Sequence, residues 1–306
     1  MLSYLIRRLI LFVPTIWVAL TLVFIIFRLV PGDPARLMAG DAATEEAIEI
    51  LRHDMGLDRS IFAQYLSYVG DLLQGDLGRS RVYQQDALEP LMERLPNTLL
   101  LAGAAMAVAL VIGVSAGVIS ALKPGSWLDS LSMFTAVIGV SLPSFWLGLL
   151  LITLFSVRLD LLPVAGYNDR WGIVLPALTL AANQMAVLAR MTRSTMLGVM
   201  SQDYIRTARS KGLRERVVVT MHALRNAMIP TMTVAGMQLG YLLGGSLVVE
   251  AVFAWPGLGR LMLDSIQQRD YPLIQAIVLL FAVLMLAVNL IVDVLYVVVD
   301  PRVRYG

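Results

Sequence analysis

With 306 residues, 58% of them hydrophobic and only 15% charged, the chain is too apolar for a water-soluble domain, where roughly 45–50% apolar residues is usual. Its mean hydropathy of +0.74 agrees. Cysteine is absent, which excludes a disulfide framework, a thiolate metal site and a cysteine nucleophile, and the net charge of +2 gives no reason to expect a nucleic-acid partner.

A helix that crosses a bilayer needs about 20 mainly apolar residues, and six stretches qualify: 9–30, 98–122, 131–157, 172–189, 229–253 and 273–299. An all-α membrane protein with six transmembrane helices is expected. Arg7 and Arg8 precede the first stretch as they would a signal peptide. The apolar run is too long for one and no small-residue cleavage site comes after it, so it is read as a retained anchor.

Residues 31–97 form an outside segment with 12 acidic and 6 basic residues. It opens on the turn-rich PGDP at Pro31, continues into a Glu-rich helix after Thr44, and carries a second amphipathic stretch from Phe62. It serves either as a cap on the first helix or as a docking surface for a soluble partner. The third span holds SLPSFW at Ser141–Trp146, where Pro143 removes a backbone hydrogen bond and kinks the helix. Such a break survives in lipid only against protein or a water-filled cavity, so Ser141 and Pro143 either line a pathway or serve packing. Arg190 and Arg193 end the apolar part of the fourth span, whose helix is expected to run on into water.

Lys and Arg collect in cytoplasmic loops. With the N-terminus inside, that set comprises Arg7, Arg8, Lys123, eight residues from Arg190 to Arg225, Arg302 and Arg304, 13 in all, against Arg158, Arg170, Arg260 and Arg269 in the short outside loops. Both termini are therefore expected in the cytoplasm.

Several chemistries find no footing. Lysine occurs only at 123 and 211, neither in a phosphate-binding P-loop, and histidine only at 53 and 222, both outside the spans. Glu250 and Asp293 lie near span ends, where snorkelling explains them more cheaply than a proton relay. Asn183, Gln184, Gln238 and Asn289 are uncharged polar residues within spans, each either lining a pathway or joining helices.

Eight charged residues fall between Asp203 and Pro230. Tyr204, Ile205 and Ala208 share one side of a short helix while Arg206, Arg209 and Lys211 face elsewhere, until Gly212 ends it. A second helix is expected over 213–227, stopping before Pro230. A solvated positive loop explains the sign of the charge. It does not explain an apolar helix side or a glycine break, which suit docking into a groove on another protein.

DYIRTARSKGL at Asp203 and HALRNAMIPT at His222 resemble the cytoplasmic loop of binding-protein-dependent ABC importer permeases, specifically the B-type permease of dipeptide, oligopeptide and glutathione importers. The resemblance continues through RRL at Arg7, PGDPARL at Pro31, GLD at Gly56, GDLG at Gly75, LPNTL at Leu95, ARMTRS at Ala189, FAWPGLGRL at Phe253, RDYP at Arg269 and DPRVR at Asp300. The wider superfamily's loop signature is matched in part: Arg206, Thr207 and Ala208 stand at its E-A-A positions before Gly212, and Pro230 comes 18 residues later, further on than the signature has it. The missing glutamate leaves an ion pair specific to that residue in doubt, while the alanine and the glycine turn, which set the shape, are retained.

The resemblance implies a type I importer permease fold, with an anchor and outside segment over 1–93 and a transport core over 94–300. It implies a non-catalytic subunit in a bacterial inner membrane that binds no cofactor, with ATP and Mg on two partner ATPase subunits. The ATPases would engage Tyr204, Ile205, Arg206, Thr207, Ala208, Lys211, Gly212 and Leu213. A C-type permease would complete the channel, and an extracytoplasmic substrate-binding protein would face Trp255, Pro256 and Gly257 in an exposed loop. A self-contained secondary carrier or channel is the competing class, and a scaffold whose loop only recruits a partner is a third.

Overall fold

The computed structural model describes residues 2–29, 33–40, 43–164 and 171–299. Pro31 and Gly32, Arg170, and the DPRVR tail with Arg302 and Arg304 lie outside these, as do the side chains of Arg7, Arg8 and Asp293. Among the described residues every regular element is a helix, apart from an isolated antiparallel bridge between Arg79 and Asp86.

In chain order the helices are α1 (Leu2–Leu29), α2 (Pro34–Ala39), α3 (Glu45–Asp54), α4 (Ile61–Leu73), α5 (Leu88–Ala109), α6 (Ser115–Leu122), α7 (Trp127–Ser141), α8 (Ser144–Leu151), α9 (Val174–Met200), α10 (Asp203–Ser210), α11 (Glu215–Val217), α12 (Arg225–Val252), α13 (Leu258–Gln267) and α14 (Tyr271–Val299). Wide π-helical turns at Leu110–Val114, Ile152–Arg158 and Val218–Leu224 join or extend them. Among the described residues five continuous helical runs are long and apolar enough to cross a membrane, and α7 with α8 and its π turn, bent by 111°, pass the same test as a pair. Pro143 sits at that bend, just ahead of α8, with φ −59° and ψ 135°. The expected kink is a full break.

The chain divides into two compact units, one built on Asn97–Pro256 and the stretch from Ala287 onward, the other on Leu2–Pro96 and Gly257–Leu286. In the first, α9 is the axle: α6, α7, α8 and α12 all pack against it, and its apolar window is 56% buried against 11% for that of α1. The close approach of α6 and its preceding π turn to α9 depends on two glycines four residues apart. A Cβ at Gly113 would lie 2.7 Å from the Met185 carbonyl oxygen, and one at Gly117 would lie 2.6 Å from that of Ala189. Small residues at this spacing let helix backbones touch in lipid.

The second unit is assembled by caps. Thr44 accepts from Ala47 N at 3.3 Å at the start of α3, and Ser60 accepts from Ala63 N at 3.3 Å at the start of α4. Tyr65 of α4 shares a 2.7 Å hydrogen bond with Thr21 and packs edge-on against Phe24, fixing α4 to α1. Fully buried Asp270 precedes α14 and accepts from Ser80 Oγ at 2.6 Å and Val82 N at 3.2 Å, holding the 80–82 loop. Leu91, Leu258, Leu261, Leu273 and Ile277 form the core beneath it.

One expectation is corrected: the helix after the charged loop does not stop before Pro230, which lies inside α12, as proline is tolerated within transmembrane helices. The fourth span's helix does extend past Arg190 and Arg193, to Met200, and Arg193 pairs with Asp129 of α7.

Candidate functional site

The charged loop folds into a knob packed on the bundle. Ile205 and Ala208 are buried in a cluster with Ala121, Met196, Val218, Val219, Ala223 and Ala227, which joins α10 to the ends of α6 and α9 and to the turn leading into α12. The expected free apolar side of α10 is therefore already occupied by the chain itself, because those two side chains fill the gap between the helix ends. What faces outward is the other side: Arg206, Thr207, Ser210, Lys211 and Leu213 are exposed. Tyr204 is 42% exposed, and its hydroxyl accepts from Asn226 Nδ2 at 2.8 Å. Arg209 grips Glu215 through two hydrogen bonds of 2.7 and 3.1 Å across the turn, and the carboxylate raises the Arg209 pKa further. Gly212 makes that turn with φ +74°, a conformation that side chains strain to adopt.

One turn further into the bundle, a polar clamp joins three helices. Arg193 of α9 donates to both Asp129 oxygens at 2.7 Å and to Ser120 Oγ of α6 at 3.0 Å, while Ser120 donates to Asp129 and Gly125 N donates to it at 2.9 Å. Asp129 is 5% exposed. Sequence reasoning missed this clamp, because Asp129 reads as an ordinary first-turn acid of α7.

Within the same unit, α7–α8, α9 and α12 enclose a cavity of about 470 Å³. Asn183, Gln184 and Gln238 line it, with Thr179, Tyr241 and Ser144 beside them. Gln238 Nε2 donates to Gln184 Oε1, so the two amides join helices and present polar edges at once. Ser141 turns its hydroxyl back to the Val137 carbonyl at 2.8 Å, and neither it nor Pro143 lines the cavity; their neighbours Leu142 and Ser144 do.

The loop expected to be exposed at Trp255 is buried instead. Trp255 is 2% exposed, its indole N–H donates to the Asn97 carbonyl at 3.0 Å, and Asn97 Nδ2 donates to the Pro256 carbonyl at 2.9 Å. Gly257 is buried too. An indole N–H needs a partner when it leaves water, and the Asn97 carbonyl within α5 supplies one. Glu250 is likewise not snorkelled: it is fully buried and accepts from Thr98 Oγ1 at 2.8 Å. Among the described residues no group of three or more His, Cys, Asp or Glu could hold a metal ion.

A helical membrane bundle with a basic knob rooted in three of its helices, and a polar cavity beside a bent helix pair, fits a transport component of the permease class. The chain belongs to the family of binding-protein-dependent transport system inner membrane components, whose profile matches residues 113–305, with the family's N-terminal profile matching residues 1–102. It is 48% identical over 305 residues to the glutathione transport system permease protein GsiC of Escherichia coli O6:H1 (strain CFT073), with 100% of both chains covered. The same identity and coverage hold for GsiC of Shigella dysenteriae serotype 1 (strain Sd197). Among solved structures, an inward-facing form of the MetNI methionine ABC transporter superposes with TM-score 0.60 at 21% identity, covering 69% of this chain and 96% of that one. An amino acid ABC transporter crystallised with histidines gives TM-score 0.53 at 17% identity, covering 68% and 92%. These two show the shared importer-permease fold. The family is a non-catalytic permease subunit, with ATP hydrolysis carried out by separate subunits.

Proposed function

We propose that this chain forms half of the translocation pathway of an ATP-driven importer for small peptides, glutathione among them, in a bacterial inner membrane with both termini in the cytoplasm. Its 48% identity to GsiC along the full length supports that substrate class. A related C-type permease supplies the other half, two ATPase subunits holding ATP and Mg act from the cytoplasm, and a substrate-binding protein delivers cargo outside. Residues 1–93 serve as anchor and outside segment and 94–300 as transport core. The cavity at Asn183, Gln184 and Gln238 belongs to the pathway.

The observation that carries this reading is the seating of α10. Because Ile205 and Ala208 are keyed into the cluster that roots α6, α9 and the turn before α12, a push on the exposed Arg206–Leu213 side moves those helix ends together. The Asp129–Arg193 clamp then passes the motion to α7, and so to the broken span beside the cavity. Packed interiors respond to such a push as rigid bodies, not by local give.

Gly212→Pro, which alters the left-handed turn, and Ala208→Arg, which forces a charge into the seat, are each expected to abolish substrate-stimulated ATP hydrolysis and uptake in the assembled importer while membrane insertion persists. Stimulation at the level of the unmodified importer in both variants would defeat the coupling role.

A further inference from the structure

Helix α4 has three sides of different character. Tyr65 and Tyr68 turn toward α1: their ring centroids lie 5.3 and 5.7 Å from that of Phe24, and the Tyr65 hydroxyl meets Thr21 at 2.7 Å. Gln64, Ser67 and Asp71 form the polar side and line a cavity of about 480 Å³ together with Arg28 and Arg59. The third side is a stripe of Phe62, Leu66 and Leu73, whose spacing puts them on one helix face. Each of these three side chains is more than half exposed.

Bulky apolar side chains left uncovered along one helix face mark a contact with another protein or with lipid. Depth decides between the two. The apolar run of α1 ends at Leu29 and is long enough to cross a membrane. Phe24, against which both tyrosines pack, stands five residues before that end, about 7.5 Å at 1.5 Å per residue. Thr21 lies deeper still, at about 12 Å. Amphipathic helices that lie in a membrane surface sink their apolar face about 5–10 Å into the boundary between headgroups and acyl chains. The contacts with α1 hold α4 at that depth, below the reach of a soluble partner. The charges agree with this level: Asp71 is the sole charged residue of α4 and lies on the cavity side. The Arg28 guanidinium, 5.0 Å over the Phe24 ring, reaches the same polar cavity, as a long cation near a span end does when it extends to the headgroups. Next to the α4 contact, α1 itself leaves Val18, Leu22 and Leu29 exposed, so the uncovered apolar surface continues from one helix to the other.

We propose that α4 is a membrane-surface helix whose Phe62, Leu66 and Leu73 stripe is sunk among the acyl chains of the leaflet at the C-terminal end of α1, with Gln64, Ser67 and Asp71 turned to the polar cavity. The partner is lipid hydrocarbon. Naming that leaflet the outer one rests on the orientation proposed above. Part of the segment after α1 is then not in water at all, and α4 fastens it to the membrane from which it emerges.

The chain has no cysteine, so single nitroxide labels can be placed by Leu66→Cys, Leu73→Cys, Ser67→Cys and Asp71→Cys, in the importer assembled with cysteine-free partner subunits in phospholipid nanodiscs. All four positions are exposed, so no substitution opens a cavity. Power saturation is read with oxygen, which concentrates among acyl chains, and with NiEDDA, which stays in water. Labels at positions 66 and 73 are expected to be relaxed more by oxygen, and labels at 67 and 71 more by NiEDDA. A NiEDDA preference at 66 and 73, or the same ratio at all four positions, overturns the proposal. Protection of 66 and 73 from both reagents overturns it as well, by placing a second protein chain on the stripe. Orientation is scored separately by reaction of Asp58→Cys, at an exposed loop position, with an impermeant maleimide on intact spheroplasts. Reaction there with failed depth readings rejects the lipid seat alone, and the expected depth readings without reaction reject the orientation alone.

Discussion

Gly117→Ala tests the helix crossing on which the first unit is built. The added Cβ would stand 2.6 Å from the Ala189 carbonyl oxygen, 2.6 Å from Thr192 Cβ and 3.1 Å from Arg193 N. Relaxed carbon contacts lie at about 3.5–4.0 Å, so α6 has to back away from α9 by roughly 1 Å. Two of the three obstacles are backbone atoms, which no rotamer change can move. Overpacking of this kind costs about 1–3 kcal/mol, and the retreat also carries Ser120, one turn along α6, away from the Asp129–Arg193 pair. At about 2–4 °C per kcal/mol for a chain of this size, melting should fall by roughly 2–12 °C. Gly103→Ala is the control, since its Cβ would meet nothing within 4 Å and alanine favours helix by about 1 kcal/mol. Fluorescence-detected size exclusion of the heated, detergent-solubilised chain reads both. Equal melting of the two variants would refute the close-crossing argument.

The cavity amides give a second test: Gln238→Leu, alone and with Asn183→Leu, should cost little stability, because interhelical hydrogen bonds in bilayers are worth only about 0.6 kcal/mol, yet should slow initial uptake. Undiminished uptake would remove the cavity from the pathway. The helix pair α2–α3 gives a third, read by pH. The Arg52 guanidinium beside Asp33 holds its carboxyl below the usual carboxylate range. A carboxyl whose pKa falls on folding contributes fully above its unfolded value, about 3.9, and loses that contribution as pH drops through the folded value. Arg52→Gln should therefore expose the helix pair to protease at about pH 6, and the difference from the unmodified chain should close in acid strong enough to protonate Asp33 in both. A difference that persists there would place the stabilisation elsewhere.

The six hydrophobic stretches were legible because lipid allows only one solution for a continuous apolar run, a helix that satisfies its own backbone. Caps were legible for the same local reason: Thr44 starts α3 and Gly212 makes the turn after α10 where residue chemistry requires it. The direction each side chain takes was less accessible. Ile205 and Ala208 read as an interface for another protein because a lone amphipathic helix looks the same whether its cover comes from its own chain or a partner. Trp255 reads as exposed in a Pro-Gly loop, and only the distant Asn97 carbonyl explains its burial. Asp129 and Arg193 lie 64 residues apart, and no local pattern announces a pair at that separation. Gln184 and Gln238 could be singled out as polar side chains within spans, but their contact could not, because they stand 54 residues apart.

The three π-helical turns also bear on how this architecture accommodates change in length. A π turn holds one more residue than an α turn within nearly the same rise, so it absorbs an insertion without re-aiming the helix beyond it. Removing a single residue from Val218–Leu224 would tighten the turn while leaving Gln238 directed at Gln184. The same deletion within the α-helical part of α12 would swing every later side chain by about 100°. Ancestral gains and losses of single residues should thus have been survivable at these three places, while the straight stretches between them stayed fixed in count.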